Sequence, residues 1–171
     1  MTPLARWPLW RRMVLAALAG VLAAFGLAPV GLWIVTLLLL PLLPVLLLAS
    51  GTPWQAAVSG WAFATGWFAH GLFWIIEPFF VEPEIYGWMA PFALVFMAGG
   101  LALFWGLAFG AAYRFGRTSL GRVWLLIGLL SLAEVARAYV LTGFPWAALA
   151  QIWTGSDTLL LLAWIGPQGL A

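Results

Sequence analysis

Two ionisable residues three positions apart, Glu134 and Arg137, stand in an otherwise apolar stretch and lead into the string Thr142, Gly143, Phe144, Pro145, Trp146. On a helix that spacing puts both side chains on one face. A charge at membrane depth is costly unless it is paired. The two therefore read either as a structural ion pair that fixes helix packing or, through Arg137, as a contact for a polar headgroup. In the string that follows, Gly143 permits a left-handed helix cap and Pro145 blocks continuation of the helix. Phe144 and Trp146 are then presented on a stiff turn, as membrane anchors or as one wall of an entrance for lipid or protein.

Other residues with chemical potential are less well supported. His70 is the single histidine, and there is no cysteine, so a zinc site lacks ligands and no metal is expected. Ser156, Asp157 and His70 would formally supply a serine-protease set, but no G-x-S-x-G elbow accompanies them. His70 is read as an interfacial or buried hydrogen-bonding residue. Glu77, Glu82 and Glu84 fall in a proline-broken stretch, EPFFVEPEIY, and are read as a solvated loop. Without cysteine or lysine there is no thiol nucleophile, no Schiff base and no lysine general base. No phosphate-cradling or dinucleotide-type glycine pattern occurs. No cofactor is expected, and covalent catalysis by these residues alone is not.

The elements that must carry these residues are hydrophobic. Apolar residues make up 65% of the chain and charged residues 7%, against about 25% charged in a soluble domain. The mean hydropathy is +1.08. That surplus of apolar surface needs lipid as its solvent. About 20 apolar residues cross the hydrocarbon core as a helix, so the fold class is an all-α membrane protein, a polytopic bundle of five spans and a shorter sixth. The spans are placed at about 13–28, 32–48, 54–76, 88–112, 123–141 and 158–171. Pro41 and Pro44 should kink the second span. The sixth has only some 14 residues before Ala171 and reads as cut mid-helix. Residues 1–12, with Arg6, Arg11 and Arg12, have the look of a signal peptide; the apolar run after them leads straight into a second one, so retention as a first span is expected.

Orientation follows from the arginines. Lys and Arg near helix ends are held on the cytoplasmic side. With the N-terminus inside, Arg114, Arg117 and Arg122 also fall inside, and Glu77, Glu82, Glu84, the segment 144–146 and Asp157 fall outside. Six of the seven arginines fit this one alternation. Trp7, Trp10, Trp54 and Trp124 lie at inner boundaries, and Trp33, Trp74, Trp88, Trp146 and Trp153 at outer ones, an aromatic belt. Ala102, Gly106 and Gly110 recur every four residues, a stripe that would let another helix approach closely. The arginines form no basic run interleaved with exposed aromatics, so nucleic acid is not an expected partner.

The string E-x-x-R-x-x-x-x-T-G-F-P-W, here Glu134 to Trp146, resembles the hallmark of the apolipoprotein N-acyltransferases. FGLAP, starting at Phe25, and the Gly- and aromatic-rich GWAFATGWFAHGLFWI are similar to the family's first helices, and LLLLAWIGPQGL to the segment after its FPW turn. Gln151 and Trp153 depart from the pattern. The resemblance implies a multi-pass protein of the bacterial inner membrane that takes an acyl chain from a phospholipid donor and transfers it to the N-terminal amine of a diacylated lipoprotein. It also implies that the chemistry belongs to a periplasmic nitrilase-like domain with a Glu, Lys, Cys set, which these 171 residues do not contain. Gly143, Phe144, Trp146 and Arg137 are carried over as substrate-binding positions and Glu134 with Arg137 as a buried pair. The rival reading is a non-enzymatic membrane transporter or assembly subunit that uses the pair as a polar pathway.

Overall fold

The computed structural model describes residues 3–140, 143–161, 164 and 166. Among the described residues every regular element is helical. Helix α1 runs Leu9–Ala23 and passes through a 3-10 turn, Ala24–Gly26. The stretch expected to kink at its prolines is two helices, α2 at Trp33–Leu39 and α3 at Leu42–Leu48. Pro41 is the residue before α3, and Pro44 sits in the first turn, where a missing N–H costs nothing. Helix α4, Pro53–Gly71, opens with Thr52, whose hydroxyl accepts from Gln55 N at 3.2 Å, and with Pro53 in the first turn, both favourable starts.

Beyond Gly71 the chain leaves the α conformation earlier than the expected end at 76. It continues as a 3-10 segment, Phe73–Phe80, then the short α5, Pro83–Tyr86, and a turn at Gly87–Met89. Pro78 lies inside that 3-10 segment and lacks the donor that an α-helix would need there. Helix α6 is Ala90–Phe115. Helix α7 is Ser119–Tyr139 and starts four residues before the expected 123, because Thr118 caps it by accepting from Gly121 N at 3.0 Å. The expected sixth span begins with a 3-10 turn, Asp157–Leu161; most of it lies outside the described residues.

α4 is the centre of the bundle, packed on α1 on one side and on α6 on the other. Small residues make both contacts possible. A Cβ on Gly20 would land on the Phe63 carbonyl, and one on Gly66 on the Ala17 carbonyl, so α1 and α4 touch backbone to backbone. On the other side, a Cβ on Gly106 would come within 3.2 Å of Trp61 Cβ, and one on Gly110 within 3.2 Å of Ala57 Cβ. The stripe read in the sequence thus faces α4. Thr36 donates to the Ala23 carbonyl at 2.6 Å and ties α2 to α1.

The polarity of the molecule is inverted relative to a water-soluble bundle. Leu38, Phe96, Leu107, Leu18 and Leu132 point outward, while Arg12, Glu134 and Arg137 are buried. Among the described residues three helical stretches are long and apolar enough to cross a membrane by length and composition, Leu9–Gly26, Pro83–Phe115 and Ser119–Tyr139; Trp33–Leu48 is shorter. A membrane protein is the reading that suits this surface. Arg12 shows why topology counting alone is too coarse for the arginines. It does not reach toward headgroups; its Nη1 donates to the Ala49 carbonyl at 2.8 Å and its Nη2 to Gln55 Oε1 at 3.0 Å, locking α1 to the turn that opens α4.

Candidate functional site

The last full turns of α7 place Glu134 and Arg137 one helical turn apart, facing into the bundle. Their side chains meet at 2.8 Å between Arg137 Nη2 and Glu134 Oε2, and the residues are 2% and 5% exposed, Arg137 being the more buried. Both ends of the pair make further bonds, although the buried Arg137 Nε has no hydrogen-bond partner among the described residues. Glu134 Oε1 accepts from Trp105 Nε1 on α6 at 3.0 Å. Arg137 Nη1 donates to the carbonyls of Phe144 and Trp146, both at 2.7 Å, and its guanidinium lies 5.0 Å above the ring of Phe68 on α4. One arginine thus joins α4, α7 and the turn after α7, in a setting where charge-assisted hydrogen bonds are strong.

The turn folds back on the helix that precedes it. Val140 N donates to Ala136, Gly143 N to Val140 and Phe144 N to Arg137, all main-chain bonds. Gly143 has φ +75°, a conformation that glycine adopts without penalty, and a Cβ there would overlap the Ala138 carbonyl. Ala147, with φ +54°, takes the left-handed form without being glycine. Its carbonyl accepts from Trp67 Nε1 on α4 at 2.8 Å, which holds the strained residue in place. Thr142 lies outside the described residues.

Phe144 turns inward and packs on the core. Trp146 turns outward, 54% exposed, and meets Trp74 edge to face with ring centres 6.0 Å apart. These two indoles wall a cleft of about 300 Å³ whose other sides include Leu27, Gly71, Gln151 and Thr154. Its polar lip is small: Gln151 Nε2 is 3.5 Å from the Pro145 carbonyl, and the Thr154 hydroxyl donates to Gln151 O at 3.0 Å. From its lipid side, Glu134 also borders an apolar groove of about 270 Å³ between α3 and α7.

The remaining candidates are dispersed. His70 is half-buried and stacks on Phe25 with ring centres 4.4 Å apart. The Ser156 hydroxyl donates to the Trp153 carbonyl at 3.1 Å. Glu77, Glu82 and Glu84 are exposed, in the segment around α5. Among the described residues no group of His, Cys, Asp or Glu is placed to hold a metal ion. What the described residues bring together is an aromatic cleft with a narrow polar lip, on a turn held by hydrogen bonds from Arg137.

Sequence reasoning did not single out Trp67, Trp105 and Phe68, which are fully buried and hold the network from α4 and α6. A signal existed for the two tryptophans. Each falls well inside a long apolar helix, where an indole N–H needs a partner, whereas tryptophans at helix ends do not. For Phe68 we find none.

The chain matches the family described as "Apolipoprotein N-acyltransferase N-terminal domain" over residues 19–171. Among curated relatives called apolipoprotein N-acyltransferase, that of Caulobacter vibrioides is 45% identical over 113 residues, covering 65% of this chain and 21% of the relative. That of Rhodopseudomonas palustris is 36% identical over 145 residues, 81% of this chain and 27% of the relative. That of Allorhizobium ampelinum is 34% identical over 149 residues, 82% of this chain and 28% of the relative. The chain therefore spans between a fifth and somewhat over a quarter of the length of these relatives.

Proposed function

Because this chain belongs to the apolipoprotein N-acyltransferase family and corresponds to its N-terminal domain, we propose that it is the membrane domain of an enzyme of lipoprotein maturation. The reaction proposed moves an acyl chain from a phospholipid to the N-terminal amine of a diacylated lipoprotein. The domain contributes binding and orientation; bond making and breaking belong to a nitrilase-like domain with a Glu, Lys, Cys set, which the resemblance supplies.

The observation that carries this reading is the way Arg137 spends its donors. By holding the Phe144 and Trp146 carbonyls, it fixes the backbone of the turn while leaving the Trp146 indole free to line the cleft with Trp74. An amphipathic substrate suits such a place. Its apolar chains lie along the helices and its polar part against the lip at Gln151 and Thr154. Holding the reacting ester in one position relative to a nucleophile is worth several orders of magnitude in rate. Gly143, Phe144 and Trp146 then act as the substrate-binding turn, Phe144 by anchoring it, and Arg137 acts through the turn's backbone. The alternative of a polar pathway through Glu134 and Arg137 has less support, since both residues are almost fully buried and their side chains are bonded to each other.

The orientation proposed is that of the arginine distribution: N-terminus cytoplasmic, several passes through a bacterial inner membrane, and the cleft on the periplasmic side. The test is to express the whole open reading frame that contains these residues and present it with phospholipid and a synthetic diacylated lipopeptide carrying a free amine. Appearance of the N-acylated lipopeptide is expected. No product, under conditions in which the Caulobacter vibrioides relative gives it, would reject the activity.

A further inference from the structure

The Trp74–Trp146 cleft carries little polarity of its own, and what it has is neutral. Leu27, Gly71 and Ala147 line it with apolar groups, and besides the two indoles its polar side chains are those of Gln151 and Thr154. Among the described residues that line it there is no arginine or histidine to meet a phosphate and no carboxylate to meet an ammonium. An ion drawn into such a place gives up hydration without gaining a partner, which is costly. A neutral group that needs one hydrogen bond escapes most of that cost.

Gln151 is placed to supply that bond. It sits in the 3-10 turn Leu149–Trp153, in which Leu149, Ala150 and Ile152 are buried while Gln151 is half-buried. Its backbone is tied at both groups: the N–H donates to the Ala148 carbonyl at 3.0 Å, and the carbonyl accepts from Thr154 Oγ1 at 3.0 Å. The Thr154 hydroxyl has thereby committed its only hydrogen, and of the two residues Gln151 is the one with donors to offer. A carboxamide has two N–H donors. Here the nitrogen that carries them reaches the Pro145 carbonyl at 3.5 Å, the outer limit for a hydrogen bond. The carbonyls around Pro145 are met by closer donors, those of Phe144 and Trp146 by Arg137 and that of Ala147 by Trp67. An under-used neutral donor at the lip of an apolar, aromatic cleft fits a neutral acceptor at the root of an apolar chain. The carbonyl oxygen of a fatty acyl ester is such an acceptor.

We propose that Gln151 is a specificity-determining residue, its Nε2 donating to the ester carbonyl of the phospholipid acyl chain, so that the cleft reads the ester linkage and leaves the charged headgroup in water. The inference rests on the reading of this cleft as the place where substrate is held.

The test is native mass spectrometry of the whole protein released from micelles containing equal amounts of diacyl phosphatidylethanolamine and its dialkyl ether counterpart. Trp146→Ala, run in parallel, identifies the lipid that the cleft holds. Wild type is expected to retain one lipid that Trp146→Ala loses, with the diacyl form preferred about fivefold, the worth of one hydrogen bond. Gln151→Met, similar in length and without a donor, should bring that ratio to one with a lipid still retained and the melting temperature unchanged. Replacing both lipids by their phosphatidylglycerol counterparts should leave the ratio as it was. Equal retention of ester and ether by wild type would overturn the proposal, as would an ester preference that survives in Gln151→Met. A larger difference between headgroups than between linkages would put the headgroup in the cleft and reject it too. If Trp146→Ala loses no lipid, the substrate reading of the cleft fails and this inference with it; a lipid lost without any ester preference removes the role of Gln151 alone.

Discussion

Trp105 on α6 donates its indole N–H to Glu134 on α7 at 3.0 Å, and through that bond a carboxylate buried among apolar helices is held between an indole and a guanidinium. Glu134 is the hub from which the rest follows. It fixes α6 to α7, and it orients Arg137 so that the guanidinium's other terminal nitrogen, Nη1, meets the carbonyls of the turn. The aromatic cleft beside the turn after α7 is bordered by residues that this interior network holds.

Removing the hub should therefore cost far more than removing its neighbour. Glu134→Leu leaves the Arg137 charge buried without its partner, for which a loss of about 3–5 kcal/mol is expected. Trp105→Phe removes one donor to a charged acceptor, a loss of about 1.5–3 kcal/mol. Reversible unfolding in mixed micelles would measure both, and an equal, small effect would mean that the pair does not organise the bundle.

Arg137→Lys keeps the charge and loses the fork. A guanidinium addresses Glu134, Phe144 and Trp146 at once because its donors diverge in one plane; an ammonium on a shorter reach cannot. Hydrogen exchange of the main-chain amides over 143–147 is expected to speed up by about tenfold or more, the equivalent of one charge-assisted hydrogen bond. Unchanged protection in the lysine variant would mean that the turn is held by its own backbone.

Gly143→Ala places a Cβ against the Ala138 carbonyl at a φ of +75°. The conformation alone costs an ordinary residue about 1–2 kcal/mol, and the overlap adds to it. A lower melting temperature is expected, together with loss of the Trp74–Trp146 contact, read from near-ultraviolet circular dichroism. An alanine variant as stable as the parent would show that the turn tolerates another backbone form.

Gly66→Val tests the opposite side of the molecule. The new side chain would meet the backbone of α1 at Ala17 and Val21, where no rotamer relieves the contact. Overpacking of a close-packed site costs about 1–3 kcal/mol or more, so little monodisperse protein is expected after gel filtration. Gly128→Val, at a position with open space around it, should behave as the parent.

Much of this was legible in the residues. Apolar runs of spanning length, the proline break between α2 and α3, the small-residue stripe on α6 and the Glu134–Arg137 spacing are all local patterns, and local patterns dictate local structure. The family resemblance rested on one such string. Other features were not legible because they depend on distant partners. Arg12 counts as a topology signal by position, yet its side chain goes inward because Ala49 and Gln55 offer acceptors thirty-seven and forty-three residues away. Trp67 and Trp105 look like two more membrane tryptophans until the carbonyl of Ala147 and the carboxylate of Glu134 arrive from elsewhere in the chain. At Gly71, the last residue of α4, a Cβ would come within 2.7 Å of Leu27 and 3.1 Å of Ala147, a closeness that depends on distant parts of the chain. Helix ends and buried polar bonds are decided in three dimensions.

On the proposed function, the turn after α7 is held in place so that Trp146 meets substrate. Trp146 is exposed and, among the described residues, makes its aromatic contact with Trp74, so its loss should spare the fold. The direct measurement is kcat/KM for acyl transfer by the whole protein carrying Trp146→Ala, taken beside its melting temperature. A fall of about three- to tenfold, the worth of one aromatic contact, with melting unchanged is the expected result; full turnover in that variant would contradict the account.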